Sequence, residues 1–555
     1  MMGWSLLPAT VGGPTSGGCM KRQLCAALAT ISLTALGLTA ATQAASAAPV
    51  AQAKAPTITW KACDDARLDA RGADCADVKV PLDHSKPNGK KITVAISRIK
   101  HTVPQSQYQG VMFVNPGGPG GSGLTLSVLG SYVPKGAGNA YDWIGFDPRG
   151  VGSSKPAVSC DPQYAGYDRP RYVPTSRKIE QAWKAKTNAY TARCDKLNGP
   201  ILDHLTTKDV AKDIDLIRAG LGAKKINYYG FSYGTYLGQV YSTLFPSKVR
   251  RIVFDGTVDP RGVWYDGNLS QDEPFDKNVN IWFGWLAEHD STYHLGDTKA
   301  KVRKLFYATQ EKLYKNPVQA KGGKLGGSEW TDAFLYAGYY QSTWTDLGST
   351  FSTFVNDDDV DALESAYLDA SGYGDDNGYG VYLGVQCTDT KWPKPWSKWA
   401  RDNWRIHAKA PFETWANAWF NEPCRHWPAK AQKPAKITGK GVTTGPLMIN
   451  ETLDAATPYP GSIEVRKRFK HASLIAVPGG TTHSNSLNGN ACVDDAIADY
   501  LLTGKLPQRK SGNRADATCA PLPQPEPESA SARSLTKKAV PDSFRSIIEE
   551  AGVPR

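Results

Sequence analysis

The sequence contains no Cys-x-x-Cys, no Lys/Arg run longer than Arg466-Lys467-Arg468, and no internal repeat. The first absence removes the commonest zinc-site spacing. The second removes the basic tract that nucleic-acid binding would use, and the triplet itself reads as a solvated helix face. No apolar stretch after residue 50 reaches the roughly 20 residues of a membrane-spanning helix. The formal charge of +12 is spread over 555 residues, so it offers only a general attraction to acidic surfaces. What is present, 41% hydrophobic and 21% charged residues, is the composition of a globular chain able to bury a large core. The expectation is a protein with no metal or cofactor and with neither nucleic acid nor membrane as partner. The oligomeric state stays open, with a monomer as the default.

The N-terminus carries export features. Lys21 and Arg22 precede the apolar run Ala26–Ala40, and Ala45-Ser46-Ala47 offers a small-residue cleavage site. Residues 1–48 are expected to be a signal peptide, with Met20 as an alternative start, and the mature protein to be extracellular. Cys25 stands before the apolar run, which argues against a lipid anchor. Without Cys19 and Cys25 eight cysteines remain, in the sequence-local pairs 63/75, 160/194, 387/424 and 492/519. Disulfides in an oxidising compartment account for them, although eight cysteines allow many connectivities.

Three regions differ in pattern. Over 56–262 short β-rich runs (Ile92–Ile99, Val111–Asn115, Trp143–Asp147, Ile226–Phe231, Arg251–Asp255) alternate with helical stretches, of which Thr207–Leu221 is capped by Thr206 or Thr207. Residues 263–434 hold 12 of the 16 tryptophans in a mostly helical pattern, suited to a second aromatic core and to a cap over a site. Over 435–519 the first rhythm returns, with strands at Pro446–Asn450 and Leu474–Pro478 and a helix at Val493–Leu502. Residues 520–555 read as a Pro-rich tail, extended and mobile over Pro521–Pro527, with a short helix at Phe544–Ala551. The alternation predicts the α/β class: a mostly parallel central sheet with helices on both faces and an inserted helical cap.

The sharpest local signal is Gly230-Phe231-Ser232-Tyr233-Gly234, between the strand Ile226–Tyr229 and the helix Thr235–Phe245. A G-x-S-x-G turn in that context lifts a serine above the sheet on a strained bend, and its neighbours must be small. Ser232 is the candidate nucleophile. A second glycine-rich loop, Asn115–Gly123, follows the strand Val111–Val114 and exposes backbone N–H groups. With no Gly-Lys-Ser/Thr after it, it suits an oxyanion better than a phosphate. Gly118 in that loop and Tyr233 after the serine are the expected oxyanion donors.

In a hydrolase of this type the acid and then the histidine follow the serine in the chain, in loops at the carboxyl ends of strands. His471 precedes its strand, whereas His483 follows it, so His483 is the candidate base. The loop after the preceding strand contains both Glu451 and Asp454. Asp454 is preferred because Thr457-Pro458 ends the loop stiffly, with Glu451 as competitor. Serine attack, an oxyanion on the glycine loop, an acyl-enzyme and hydrolysis then follow, without metal.

These motifs together resemble the secreted tripeptidyl aminopeptidases of actinobacteria, within the prolyl-aminopeptidase-related α/β-hydrolases. The matching stretches are Trp60–Cys63, CADVKVPLD at 75–83, NPGGPGGSG at 115–123, GFDPRGVGSS at 145–154, YYGFSYGTYLG at 228–238, FDGTVDP at 254–260 and LDAATP at 453–458. The resemblance implies the α/β-hydrolase fold and release of tripeptides from free peptide N-termini. An exopeptidase of that kind needs a carboxylate for the substrate's ammonium. Asp272, Glu273, Asp357–Asp359 and Asp389 are candidates that sequence cannot separate. A secreted carboxylesterase with the same triad is the alternative, and a non-catalytic binding protein on the same scaffold is a third reading.

Overall fold

Two faces of one sheet bury most of the aliphatic side chains. The structure is a computed structural model that describes residues 54–527. The expected signal peptide, with Cys19 and Cys25, and the expected helix at Phe544–Ala551 lie outside the described residues. Ten strands follow in chain order: β1 (Lys61–Ala62), β2 (Asp74–Pro81), β3 (Lys91–Ile99), β4 (Val111–Asn115), β5 (Asp142–Phe146), β6 (Ile226–Phe231), β7 (Val249–Asp255), β8 (Leu447–Glu451), β9 (Ser473–Val477) and β10 (Ala517–Thr518). They lie side by side as β1-β2-β3-β5-β4-β6-β7-β8-β9-β10. The pairings up to β3-β5 are antiparallel and the rest are parallel. Because successive side chains point to opposite faces, Val111 and Phe113 enter one core and Met112 and Val114 the other. Burial on both faces is what a parallel sheet requires. This is the α/β-hydrolase architecture.

The helices differ in how legible they are. α1 (Arg177–Asn198) gives little aliphatic signal: its buried stripe is Trp183, Thr187, Tyr190, Thr191 and Cys194. Its hydrophobic period is therefore written in Thr and Tyr, and the search for aliphatic recurrence passes over it. α2 (Thr207–Gly220) buries Val210, Ile214 and Ile217, and Thr206 caps it by accepting the Asp209 N–H at 3.1 Å. α3 (Tyr233–Leu244) follows β6 directly. All four local cysteine pairs are disulfides, 63–75, 160–194, 387–424 and 492–519.

Between β7 and β8 the chain leaves the sheet for a helical segment that includes α4 (Asp272–Glu288), α5 (Asn377–Asp389) and α6 (Thr414–Asn421). Its own core is aromatic, with Trp282, Phe306, Trp330, Phe334 and Phe351 buried together. Ala455 and Ala456, from the loop after β8, complete that core, while Val381 and Leu383 of α5 join the sheet's core. The last helix among the described residues, α7 (Ala491–Thr503), covers the other face of the sheet. The described part of the Pro-rich tail is anchored on α4, where Trp285 Nε1 donates to the Pro525 carbonyl at 2.9 Å.

Candidate active site

Ser232 sits between β6 and α3 with φ 54° and ψ −127°, a conformation that side chains seldom adopt and that costs about 1–3 kcal/mol. Close packing imposes it. A Cβ on Gly230 would lie 2.5 Å from the Gly234 carbonyl oxygen, and one on Gly234 2.5 Å from the Asn115 carbonyl oxygen. The Ser232 N–H is held by the Asp255 carbonyl at 2.9 Å. A Cβ on Gly238 would meet Phe254 at 2.5 Å, so α3 can lie this close to the sheet only with glycine there.

The loop after β4 presses on this bend through Gly117 rather than Gly118. Gly117 has φ 107°, and a Cβ there would lie 2.8 Å from Ser232 Cβ and 3.0 Å from the Tyr233 nitrogen. Its own N–H donates to Asn115 Oδ1 at 3.2 Å, which leaves Gly118 as the following donor of the loop. Tyr233 is the first residue of α3, so its N–H has no acceptor within the helix. A residue outside the sequence-derived set holds this loop. Asp147 accepts from Ser122 Oγ at 2.6 Å, the Leu124 N–H at 3.2 Å and the Ser153 N–H at 2.8 Å. Burial pushes its carboxyl above the usual range. The only sequence signal for it is its place in the GFDPRGVGSS stretch.

His483 and Asp454 meet directly. His483 Nδ1 lies 2.9 Å from both carboxylate oxygens of Asp454, and both residues are buried. Asp454 is held in turn by the Thr457 N–H at 2.9 Å and Thr457 Oγ1 at 2.7 Å. A proton on Nδ1, assigned from this partner, leaves Nε2 as the basic nitrogen. Glu451, the competitor, does not face the ring. It accepts from the Thr482 N–H at 2.5 Å and Asn485 Nδ2 at 2.8 Å, and so clamps the loop on both sides of His483. Burial pushes its carboxyl up to about 7. His471 lies exposed before β9, at the other end of that strand.

The turn after β7 joins the two halves of the site. The Asp255 carbonyl that holds the Ser232 N–H also accepts from Ser484 Oγ at 3.3 Å. A Cβ on Gly256 would lie 3.0 Å from His483 Cε1. Serine and imidazole therefore converge on one shelf, Asp255-Gly256, from the β6 and β9 ends. The Asp255 carboxylate accepts from the Ser486 N–H at 2.8 Å and Ser486 Oγ at 2.5 Å, and burial pushes it up to about 6. Sequence reasoning assigned no role to Asp255 or Glu451 in shaping the histidine loop, because their partners lie more than thirty residues away or on another strand.

A cavity of about 330 Å³ is lined largely by aromatic rings of the helical segment, together with Tyr164, Tyr172 and Trp183, and Tyr339 links it to His483. Tyr339 belongs to both: its carbonyl accepts the His483 N–H at 2.9 Å, and its ring lies 5.9 Å from the imidazole. Gln271 at the same edge donates to the Ala456 carbonyl at 2.6 Å. None of the sequence-derived ammonium candidates is itself part of the cavity lining, although Asp272 adjoins it through Asn417. Glu273 and Asp357–Asp358 are exposed, and Asp359 caps a helix by accepting the Ala362 N–H. Asp389 is buried, accepting from the Thr207 N–H at 2.8 Å and Trp264 Nε1 at 3.3 Å. Asp272 is buried behind Asn417, whose Nδ2 reaches it at 2.8 Å. Three buried carboxylates line the cavity: Asp332, held by Arg169 at 2.7 Å, Asp376, held by Ser159, Cys160, Asp161 and Tyr190, and Glu413. Among the described residues no group of His, Cys, Asp and Glu is arranged to hold a metal ion, and no helix is long and apolar enough to cross a membrane.

Residues 110–363 match the family model of the alpha/beta hydrolase fold, and residues 410–519 match that of the TAP-like proteins. A tripeptidyl aminopeptidase of Streptomyces lividans is 40% identical over 482 residues, covering 85% of this chain and 88% of that protein. Serine protease Hip1 of Mycobacterium tuberculosis is 30% identical over 476 residues, covering 81% of this chain and 89% of that protein. A protein named carboxylesterase B, also of M. tuberculosis, is 30% identical over 484 residues, with 83% and 90% covered.

Proposed function

The chain belongs to the tripeptidyl aminopeptidase family of α/β-hydrolases and is a serine peptidase, and from that premise we propose that it releases tripeptides from free peptide N-termini outside the cell. Ser232 is the nucleophile, His483 the base and Asp454 the acid that orients it. The observation that carries this reading is the buried pair of His483 Nδ1 and Asp454 at 2.9 Å, brought to the Asp255-Gly256 shelf that also holds the Ser232 bend.

His483 Nε2 takes the proton as Ser232 Oγ attacks the peptide carbonyl, and Asp454 stabilises the imidazolium. The tetrahedral oxyanion accepts from the N–H groups of Gly118 and Tyr233, at the positive end of α3. His483 then protonates the departing amine, and water hydrolyses the acyl-enzyme by the same route in reverse. Glu413 receives the substrate's α-ammonium. It is buried in the aromatic cavity that Tyr339 links to His483, and a charge-assisted hydrogen bond there requires the amine to be free. Four disulfides in the mature region suit an oxidising, extracellular compartment.

The relative named carboxylesterase B keeps an esterase as the second reading. A tripeptide p-nitroanilide, its N-acetylated form and a p-nitrophenyl ester separate the two. The peptidase reading expects rapid turnover of the first and at least a hundredfold loss on acetylation. Turnover of the ester with neither anilide cleaved would replace it by the esterase.

A further inference from the structure

Lys186, on the inner side of α1, is a cation that the proposed mechanism does not use. It lines the same cavity as Glu413, with its ammonium 4.4 Å above the ring of Tyr164. Among the described residues no carboxylate lies within ion-pair distance of it. The neighbouring Lys184 differs, being paired with Glu180 at 2.5 Å.

The nearby acids are already committed. Asp161 holds Arg193 at 2.5 Å. Glu329 and Asp332 hold Arg169 at 2.9 and 2.7 Å. Asp376 accepts from Ser159 Oγ, the N–H groups of Cys160 and Asp161, and the Tyr190 hydroxyl. Asp375, at the rim, accepts the Asn377 N–H at 2.9 Å. Burial and the Arg169 charge pull the Lys186 ammonium down to about 8. Its charge is thus poorly compensated within the protein, and an anion entering the cavity would relieve it. Tyr164 screens one side of the ammonium, which leaves its donors to the cavity.

We propose that Lys186 is a carboxylate subsite of the substrate cavity, distinct from Glu413, so that the enzyme favours peptides presenting a carboxylate there. This rests on the reading of the cavity as the peptide site. Two sources share the chemistry: an acidic side chain in the released tripeptide, or the C-terminal carboxylate of a short peptide. The cavity lining holds charges of both signs, with Arg169 committed to Glu329 and Asp332, and a bound peptide is matched by its ammonium at Glu413 and its carboxylate at Lys186 together.

The test compares kcat/KM within each enzyme variant, so a partly misfolded sample cancels. Tripeptide anilides with Glu or Gln at each of the three positions probe the side-chain source. An Ala tetrapeptide with a free or amidated C-terminus probes the other. Wild type is expected to favour the carboxylate form about tenfold in at least one arm, through KM. Lys186→Met should abolish that ratio and Lys186→Arg should keep most of it, with the neutral substrates cleaved at similar rates by all three. Equal rates for charged and neutral partners in every arm of the wild type would overturn the subsite, as would a preference that survives Lys186→Met. Failure to cleave any free anilide would instead sink the peptidase assignment on which it stands.

Discussion

The sheet half and the helical segment of this molecule are built from different side chains and contribute different things. The sheet is filled with Val, Ile, Leu and Phe on both faces, and its strand ends carry Ser232, Asp454, His483 and the glycine loop. The helical segment is filled with Trp, Phe and Tyr and supplies the cavity with Glu413, while α1 supplies Lys186 from a distant part of the chain. A pleated ladder fixes backbone atoms to within tenths of an ångström, which serves reacting groups. Aromatic helices offer broad surfaces with polar tips, which serve the remote parts of a ligand. On the proposed reading the chemistry depends on glycine positions and strand ends, and selectivity on the segment between β7 and β8 together with α1.

Variants on each side should break that division in distinguishable ways. The largest effect is expected on the sheet side. Ser232→Ala and Asp454→Asn should each lower kcat on a free tripeptide anilide by about 10³–10⁴-fold or more, with KM little changed. Ser232→Ala should also lose labelling by a fluorophosphonate. If Glu451→Gln were as damaging as Asp454→Asn, the assignment of the acid would be wrong.

On the helical side, Glu413→Gln should raise KM for the free anilide about 10- to 100-fold, while hydrolysis of a p-nitrophenyl ester stays within about twofold. An equal loss on both substrates would place Glu413 with the chemistry rather than with recognition.

A third effect concerns stability at the strand ends. Glu451 titrates at 4.5 when exposed and at about 7 when buried, so the folded chain holds its proton more tightly than the unfolded chain. Stability from this group is present below the lower value, falls as pH rises toward about 7, and is level above it. The fall is on the order of 1–3 kcal/mol. Glu451→Gln should flatten that limb in denaturant unfolding at pH 5 and pH 8. An unchanged slope would mean that Glu451 ionises as freely as in water.

The smallest effect on activity is expected from a disulfide of the helical segment. Cys387 at the end of α5 is bonded to Cys424, closing a loop of 37 residues. Replacing both by serine should cost about 2–4 kcal/mol in unfolding free energy. Ester hydrolysis by the folded protein should remain close to wild type, as checked by turnover below the melting transition.

The sequence alone was enough for the class of fold, since alternation of short aliphatic runs with a 3.6-residue period is a local property. It was also enough for the Ser232 bend, whose glycines are adjacent in the chain. The strands β4, β6 and β7, the helix α2 and the four cysteine pairs were all legible to within a few residues. The α1 helix was not, because its buried stripe is polar and aromatic. Sequence preferred Asp454 over Glu451 only on the stiffness of the loop's end: three residues apart in one loop, they differ in which of them folds under the imidazole and which under its backbone. The same holds for Glu413 and Lys186, 227 positions apart, whose common cavity exists only once α1 and α6 pack together. Local propensity acts over a few residues, whereas the place of a charge in a site depends on where distant segments pack, and that only the tertiary structure decides.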